Sequence, residues 1–186
     1  QPKFIAISVF SHNSKLACDL FLEKLATYKG SWKIIIGGQG ITLRNHDSRT
    51  YAQECLDEGL SDFYCIGEAE TTFANIIAGD QKGPGINNMG WKQLDNLDLS
   101  PTPNYSDFKI EKYHHLSWGP SLWINASRGC VRRCDFCDIG KIWKKFRFRS
   151  GESVAEELQQ QMIDLDLKGY HFADALINGS MKQFND

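Results

Sequence analysis

The sequence has no apolar run that approaches the ~20 residues a bilayer-spanning helix needs. It shows no charged n-region and apolar h-region at its start, so no secretory signal peptide is read there. Net charge is also scarce, with a formal balance of -2. That excludes a global field favouring nucleic acid or an anionic membrane surface. Proline is sparse at five residues, four of them between positions 80 and 120. Internal repeats and low-complexity tracts do not occur. What remains is an ordinary globular mixture, 41% hydrophobic and 24% charged over 186 residues. This suffices for one domain or two small ones. The chain begins with Gln1, not Met. A processed product or a fragment of something longer is expected from that.

Six cysteines are present: Cys18, Cys55, Cys65, Cys130, Cys134 and Cys137. An even count makes disulfides only in an oxidising compartment. Cys18 and Cys55 fall on helix patterns and Cys65 on a strand pattern, where buried free thiols are the ordinary reading. A reducing, cytoplasmic setting is expected, with the last three cysteines treated separately.

Along the chain, FIAISVF (4–10), KIIIGG (33–38) and DFYCIGE (62–68) read as short buried strands. Asn13 is expected to cap a helix through KLACDLFLEKLATYKG, with Ala17, Leu20, Phe21, Leu25 and Tyr28 on its inner face and Gly30 ending it. A helical stretch follows at 48–59 and another in AETTFANIIAG. Strands alternating with helices imply a parallel sheet. Residues 80–120 carry the prolines and no sustained periodicity, and read as a surface-packed linker. LWINAS (122–127) is the next strand. Ser153 and Glu156 suggest a capping box for a helix with Val154, Leu158, Met162 and Leu165 on one face, closed by Gly169. YHFADALI (170–177) then begins as a strand.

The densest chemistry is SRGCVRRCDFC (127–137), a C-x3-C-x2-C spacing. Clustered thiolates suit zinc or iron–sulfur clusters. Structural zinc wants four protein ligands. Three cysteines are offered, and His114 and His115 lie well upstream with no second C-x2-C. A four-iron cubane held by three thiolates leaves one iron open to a small molecule. Arg128, Arg132 and Arg133 offset the charge of such a cluster and favour ionised thiols. Gly129 allows a tight turn beneath it. The basic, aromatic stretch KIWKKFRFR (141–149) reads either as a short single-strand nucleic-acid patch or as a solvated helix face with inward aromatics. The latter is preferred, and nucleic acid is not expected as a partner. His12, His46 and His171 show no partner in the sequence.

A strand followed by C-x3-C-x-aromatic-C, with Phe136 in the aromatic slot, resembles the radical S-adenosylmethionine (SAM) enzymes. The resemblance implies a [4Fe-4S] cluster on Cys130, Cys134 and Cys137. Its open iron would hold the amino and carboxylate groups of SAM. An electron from the cluster then cleaves the sulfonium to a 5′-deoxyadenosyl radical. Phe136 would neighbour the adenine. Residues 172–180, FADALINGS, are similar to a second-strand pattern of one branch, which sets Asp174 facing SAM. An electron donor such as flavodoxin or ferredoxin and a small-molecule substrate are implied partners.

Residues 1–79 look like the later half of the cobalamin-binding domain that precedes the radical SAM domain in one subgroup. The resemblance is carried by Ile7 to Phe10, Gly37-Gly38 and Gly67 to Thr72, and by the linker pattern from Leu94-Asp95 to Pro103-Asn104-Tyr105-Ser106. It implies that Ser8, Gly37 and Gly38 line a pocket for the cobalamin tail. The cobalt-ligating D-x-H-x-x-G motif does not occur, and His12 in SHNSK does not match it. The expected fold class is thus α/β. An incomplete Rossmann-like (flavodoxin-like) domain over 1–79 leads, through the 80–120 linker, to the start of a TIM-like barrel over 121–186, which a remainder or a second chain must complete. The subgroup's reactions include methyl transfer and ring formation. The alternative is a truncated, non-catalytic metal-binding remnant or accessory chain.

Overall fold

The computed structural model describes residues 2–28, 30–42, 49–80, 93–115, 119–137, 139–143, 145–167 and 169–185. It divides into two compact units, residues 1–93 and 94–186. His46 and most of the 80–92 stretch lie outside the described residues.

The first unit is built on β1 (Phe4–Ser8), β2 (Lys33–Gly37) and β3 (Phe63–Tyr64), all parallel and in the order β1-β2-β3. Helices α1 (Lys15–Ala26) and α2 (Tyr51–Asp57) make the crossovers, and α3 (Glu70–Ala78) follows β3. Because strand side chains alternate between faces, the run KIII serves two layers. Ile36 packs with Leu22 and Cys18 of α1 and with Tyr51, Ala52 and Cys55 of α2. Its neighbour Ile35 packs with Cys65 and with Ile76 of α3. Each such fully buried aliphatic side chain contributes about 1.5–3 kcal/mol. Asp62 fixes the register between β2 and β3: its carboxylate accepts from the Ile34 amide at 2.9 Å and from Lys33 Nζ at 2.7 Å. α3 ends in Gly79 at φ 81, a left-handed cap.

The inner face of α1 differs from the sequence expectation. Cys18 and Leu22 are its buried residues, while Leu16, Leu20, Phe21 and Tyr28 are exposed. The helix carries two apolar stripes, and periodicity alone does not say which one meets the sheet. Its N-cap is Ser14, not Asn13, and makes no side-chain cap bond.

In the second unit, β4 (His114–His115) pairs antiparallel with β5 (Gly119–Pro120). β6 (Leu122–Ile124) leads into β7 (Ser127–Arg128), which pairs antiparallel with β8 (Arg147–Phe148), and the short α4 (Ile139–Ile142) lies between the two. Then α5 (Gly151–Leu165) carries the chain to β9 (Tyr170–Phe172), parallel to β6, and α6 (Met181–Asn185) follows. This β-α-β crossover is the unit's frame. Ile110, Leu122 and Leu167 form its core cluster, so the Pro-rich segment contributes packing here.

Two expectations about α5 are corrected. Its N-cap is Ser150, whose hydroxyl accepts from the Ser153 amide at 3.1 Å, so Ser153 sits inside the first turn and does not open a capping box. Its C-cap is Asp166, held at φ 50, and not Gly169. The residues it buries are the polar Glu157 and Gln161, while Met162 is exposed. The mixed α/β character and the parallel strand pairing agree with the sequence reading. Among the described residues no helix is long and apolar enough to cross a membrane.

Candidate metal and cofactor site

The cysteine loop leaves β7 and is held from below. Gly129 sits at φ 92, and a Cβ there would fall 2.6 Å from the Lys145 carbonyl oxygen and 3.2 Å from Phe146 Cα. Those are backbone atoms of the β8 approach, so only a residue without a side chain lets the two segments touch. One residue before Gly129, Arg128 is the register partner of Arg147 in the antiparallel β7–β8 pair. The loop's three thiols follow at once. All are free, with Cys130 and Cys137 half-buried and Cys134 exposed. The Arg132 amide donates to Cys130 Sγ at 3.4 Å, and the Cys137 amide closes a turn on the Cys134 carbonyl at 3.0 Å.

Among the described residues no three His, Cys, Asp or Glu side chains converge on a point that one metal ion could occupy. A structural zinc site needs that convergence. A cubane does not, because each thiolate binds a different iron. The donor set therefore fits a cluster better than a single ion: three unpaired thiols of matching softness on one loop, one with an amide already at its sulfur. Phe136 stands 91% exposed between the last two cysteines, its ring open to a ligand.

Asp174, just beyond β9, is brought to the same place. Its carboxylate accepts from the Ser127 hydroxyl and, at 3.1 Å, from the Ala126 amide. It thereby ties the end of the second parallel strand to the residues that lead into Cys130. A second tie lies five residues on: a Cβ at Gly179 would meet the Phe146 ring at 2.5 Å. The stretches 127–137 and 172–180, separate in sequence, are thus joined through Ser127 and Phe146.

The basic stretch 141–149 is not one helix. It splits into the end of α4 and strand β8, with Trp143, Phe146 and Phe148 half-buried. Trp143 lies beneath two guanidinium groups, Arg128 at 5.9 Å and Arg147 at 6.0 Å. Arg147 and Arg149 are buried. Arg147 donates to the Leu94 carbonyl. Arg149 pairs with Glu157 and donates to the Ser153 carbonyl at 2.9 Å and the Asn125 carbonyl at 3.4 Å. Gln161 donates to Glu157 at 2.9 Å. This buried pair clamps α5 to the end of β6. Sequence reasoning missed it, because the only local signal is a pair of polar residues at positions i and i+4 of an otherwise amphipathic helix.

In the first unit, Ser8 and Gly37 are register partners at the ends of β1 and β2. Gly38, at φ 92, approaches the chain itself: a Cβ would lie 2.5 Å from the Val9 carbonyl oxygen and 2.9 Å from Ser8 Oγ. Gly40 donates to that Val9 oxygen at 2.8 Å. The strand ends are closed on each other by backbone. His12 lies in the turn before α1, and His171 stacks on Trp123 with ring centroids 5.0 Å apart. Burial pushes the Cys55 and Cys65 thiols up to about 11 and raises Tyr51, so these groups are inert core members.

The chain is 30% identical over 122 residues to a protein of Methanocaldococcus jannaschii named as a methylthiotransferase, covering 59% of this chain and 25% of that protein. It is 22% identical over 179 residues to the cytidylyl-2-hydroxyethylphosphonate methyltransferase of Streptomyces wedmorensis, covering 72% and 34%. It is 30% identical over 148 residues to the anaerobic magnesium-protoporphyrin IX monomethyl ester cyclase of Rubrivivax gelatinosus, covering 69% and 27%. The matched region thus spans about a quarter to a third of each of these relatives. No family model and no solved structure matches the chain.

Proposed function

We propose, from the premise that the chain belongs to the radical SAM family in its cobalamin-binding-domain subgroup, that the loop after β7 holds a [4Fe-4S] cluster which binds and reductively cleaves SAM. The observation that carries the reading is the loop itself: three free thiols within eight residues of one another, on the loop after β7, which follows strand β6 of the parallel β-α-β crossover. Cys130, Cys134 and Cys137 are the ligands, one per iron, with the fourth iron left for SAM. When bound, the cluster and SAM supply a 5′-deoxyadenosyl radical that abstracts hydrogen from a substrate.

The chain's own residues do the positioning. Gly129 lets the loop rest on the Lys145–Phe146 backbone. Asp174 holds Ser127 and Ala126, which fixes the direction in which the loop leaves the sheet. The exposed Phe136 ring offers a face on which an adenine can stack. β6 and β9 are read as the first two strands of a TIM-like barrel, with α5 as the helix between them. Active sites in such barrels sit at the carboxyl ends of the strands, and the cysteine loop and Asp174 both follow strand ends. Methyl transfer or ring formation is the proposed reaction class, in line with the relatives' names. The reducing, cytoplasmic setting fits six free cysteines. No step is assigned to cobalamin: the β1 and β2 ends close on their own backbone, and D-x-H-x-x-G is absent from the sequence.

Anaerobic reconstitution with iron and sulfide tests this. About four irons per chain and a brown protein are expected, and each single Cys→Ala variant at 130, 134 or 137 should lose them. One zinc per chain with no colour would contradict the reading and favour a non-catalytic metal-binding remnant.

A further inference from the structure

Two adjoining cavities lie between the 98–106 segment and α5, and they share Thr102 and Gln160. One, of about 550 Å³, meets Tyr105, Gln161 and Asp164. The other, of about 530 Å³, meets Asp98, Ser100, Arg149, Glu156 and Glu157. No described residue of the cysteine loop lines either, and neither does Asp174, so this groove is separate from the proposed cluster site. Its charge is one-sided. Four carboxylates stand against the single guanidinium of Arg149, which is already paired with Glu157. No cation partners Asp98, Glu156 or Asp164 among the described residues. Asp164 sits at the C-terminal end of α5, where the helix dipole is negative and the last turn holds no basic residue.

A second observation comes from Gln161, which is only 3% exposed. Its Nε2 donates to Glu157 Oε1 at 2.9 Å, and a carboxylate accepts only from a donor, so the amide cannot turn round. Its Oε1 is left buried without a hydrogen-bond partner, on a side chain that lines the cavity beside Asp164. Ser100 Oγ, in the lining of the other cavity, is also buried without a partner. Buried polar atoms are normally satisfied. The group that suits the Gln161 oxygen is a hydrogen-bond donor, and the carboxylates around it favour a cationic one. Among the described residues no three His, Cys, Asp or Glu side chains converge as a metal ion would need. Glu156, Gln160 and Asp164 recur at i, i+4 and i+8 on one face of α5, which sets the two carboxylates about 12 Å apart along the helix. Ile163 and Leu165, also in the lining, offer apolar contact. We propose that this groove binds a linear aliphatic polyamine. One terminal ammonium meets Glu156, the other meets Asp164 and Gln161 Oε1, and the methylenes follow the helix. Each exposed carboxylate alone holds a cation weakly. A single ligand that engages both gains from their linkage. The site goes beyond the proposed chemistry and stands whether or not the chain loads a cluster.

The full chain, without added iron, is titrated with spermidine while amide NMR shifts are followed. Putrescine (a shorter diamine), N-acetyl-lysine amide and Mg²⁺ are titrated in parallel. Shifts are expected in 98–106, in 156–165 and in the Gln161 side-chain amide. Spermidine should bind about tenfold or more tighter than the lysine amide, with putrescine between them. Glu156→Gln and Asp164→Asn should each weaken spermidine binding about threefold or more. Glu152→Gln removes an exposed acid of α5 that lies outside the lining, and should leave binding unchanged. Circular dichroism checks that each variant folds. Equal binding of the lysine amide or of Mg²⁺ overturns the polyamine assignment. So does an equal loss in the Glu152 variant, which would mark a diffuse attraction to acidic surface. Spermidine that moves no resonance in the groove overturns the site outright and leaves the Gln161 oxygen to water.

Discussion

Gly129→Ala is the substitution in which backbone geometry, stability and cofactor loading meet. Two costs add. Gly129 is held at φ 92, a region where an alanine pays about 1 kcal/mol relative to glycine. The new Cβ would also fall 2.6 Å from the Lys145 carbonyl oxygen, closer than real Cβ contacts come, and the atom it strikes belongs to backbone that cannot rotate aside. Forcing packed segments apart costs about 1–3 kcal/mol. The expected loss is about 3 kcal/mol in the second unit, or about 2 M in urea midpoint at a slope of about 1.5 kcal/mol per M. Gly79→Ala is the internal control. It shares a positive φ of 81, but nothing lies within 4 Å of its added Cβ, so about 1 kcal/mol is expected. Urea titration followed by circular dichroism gives the losses, and amide exchange in β7 and β8 locates the first. The Gly129 variant should also take up less iron, since the loop is pushed off its support. Equal losses at the two glycines would refute the claim that close backbone approach holds the cysteine loop.

Two further outcomes follow from buried groups. Glu157→Gln keeps the volume but leaves the Arg149 guanidinium, in a pair whose side chains are 10% and 6% exposed, without its counter-charge. A loss of about 3–5 kcal/mol is expected in thermal or urea unfolding, and Arg149→Met/Glu157→Leu should lose less than the sum of its single changes. Cys55 and Cys65 have folded thiols pushed up to about 11 by burial. The native state then holds protons that the unfolded chain releases from about pH 8.5 upward. Their contribution is complete below that pH and fades as pH rises toward 11, by an amount on the order of 3 kcal/mol each. Urea midpoints measured between pH 8 and 11 should fall in Cys55→Ala/Cys65→Ala less steeply than in the parent; parallel curves would contradict this.

Much of the fold is legible because apolar runs are bounded by glycine. KIIIGG announces a central strand, and its neighbours Ile35 and Ile36 face opposite layers as two-face burial demands. What periodicity cannot decide is which of two apolar stripes turns inward. In α1 a stripe through Leu20 and Phe21 is apolar as well as the one through Cys18 and Leu22, yet it is the latter that meets Ile36 and Tyr51. α5 hides its inner face for another reason: Glu157 and Gln161 are polar, and their burial depends on Arg149, which precedes the helix. The cap at Ser150 was obscured by Ser153 and Glu156 downstream, which imitate a capping box. At the site, spacing made the three cysteines plain. The contacts that brace them, Asp174 with Ser127 and Gly179 with Phe146, span more than 30 residues each and leave no local mark.

The central claim is that the loop from Cys130 to Cys137 carries a cluster that cleaves SAM. Its most direct test is 5′-deoxyadenosine released when SAM is added to the reconstituted, dithionite-reduced protein under anaerobic conditions. The nucleoside is expected to form with the parent and to vanish with Cys134→Ala. A protein fully loaded with iron and sulfide that leaves SAM intact would contradict it.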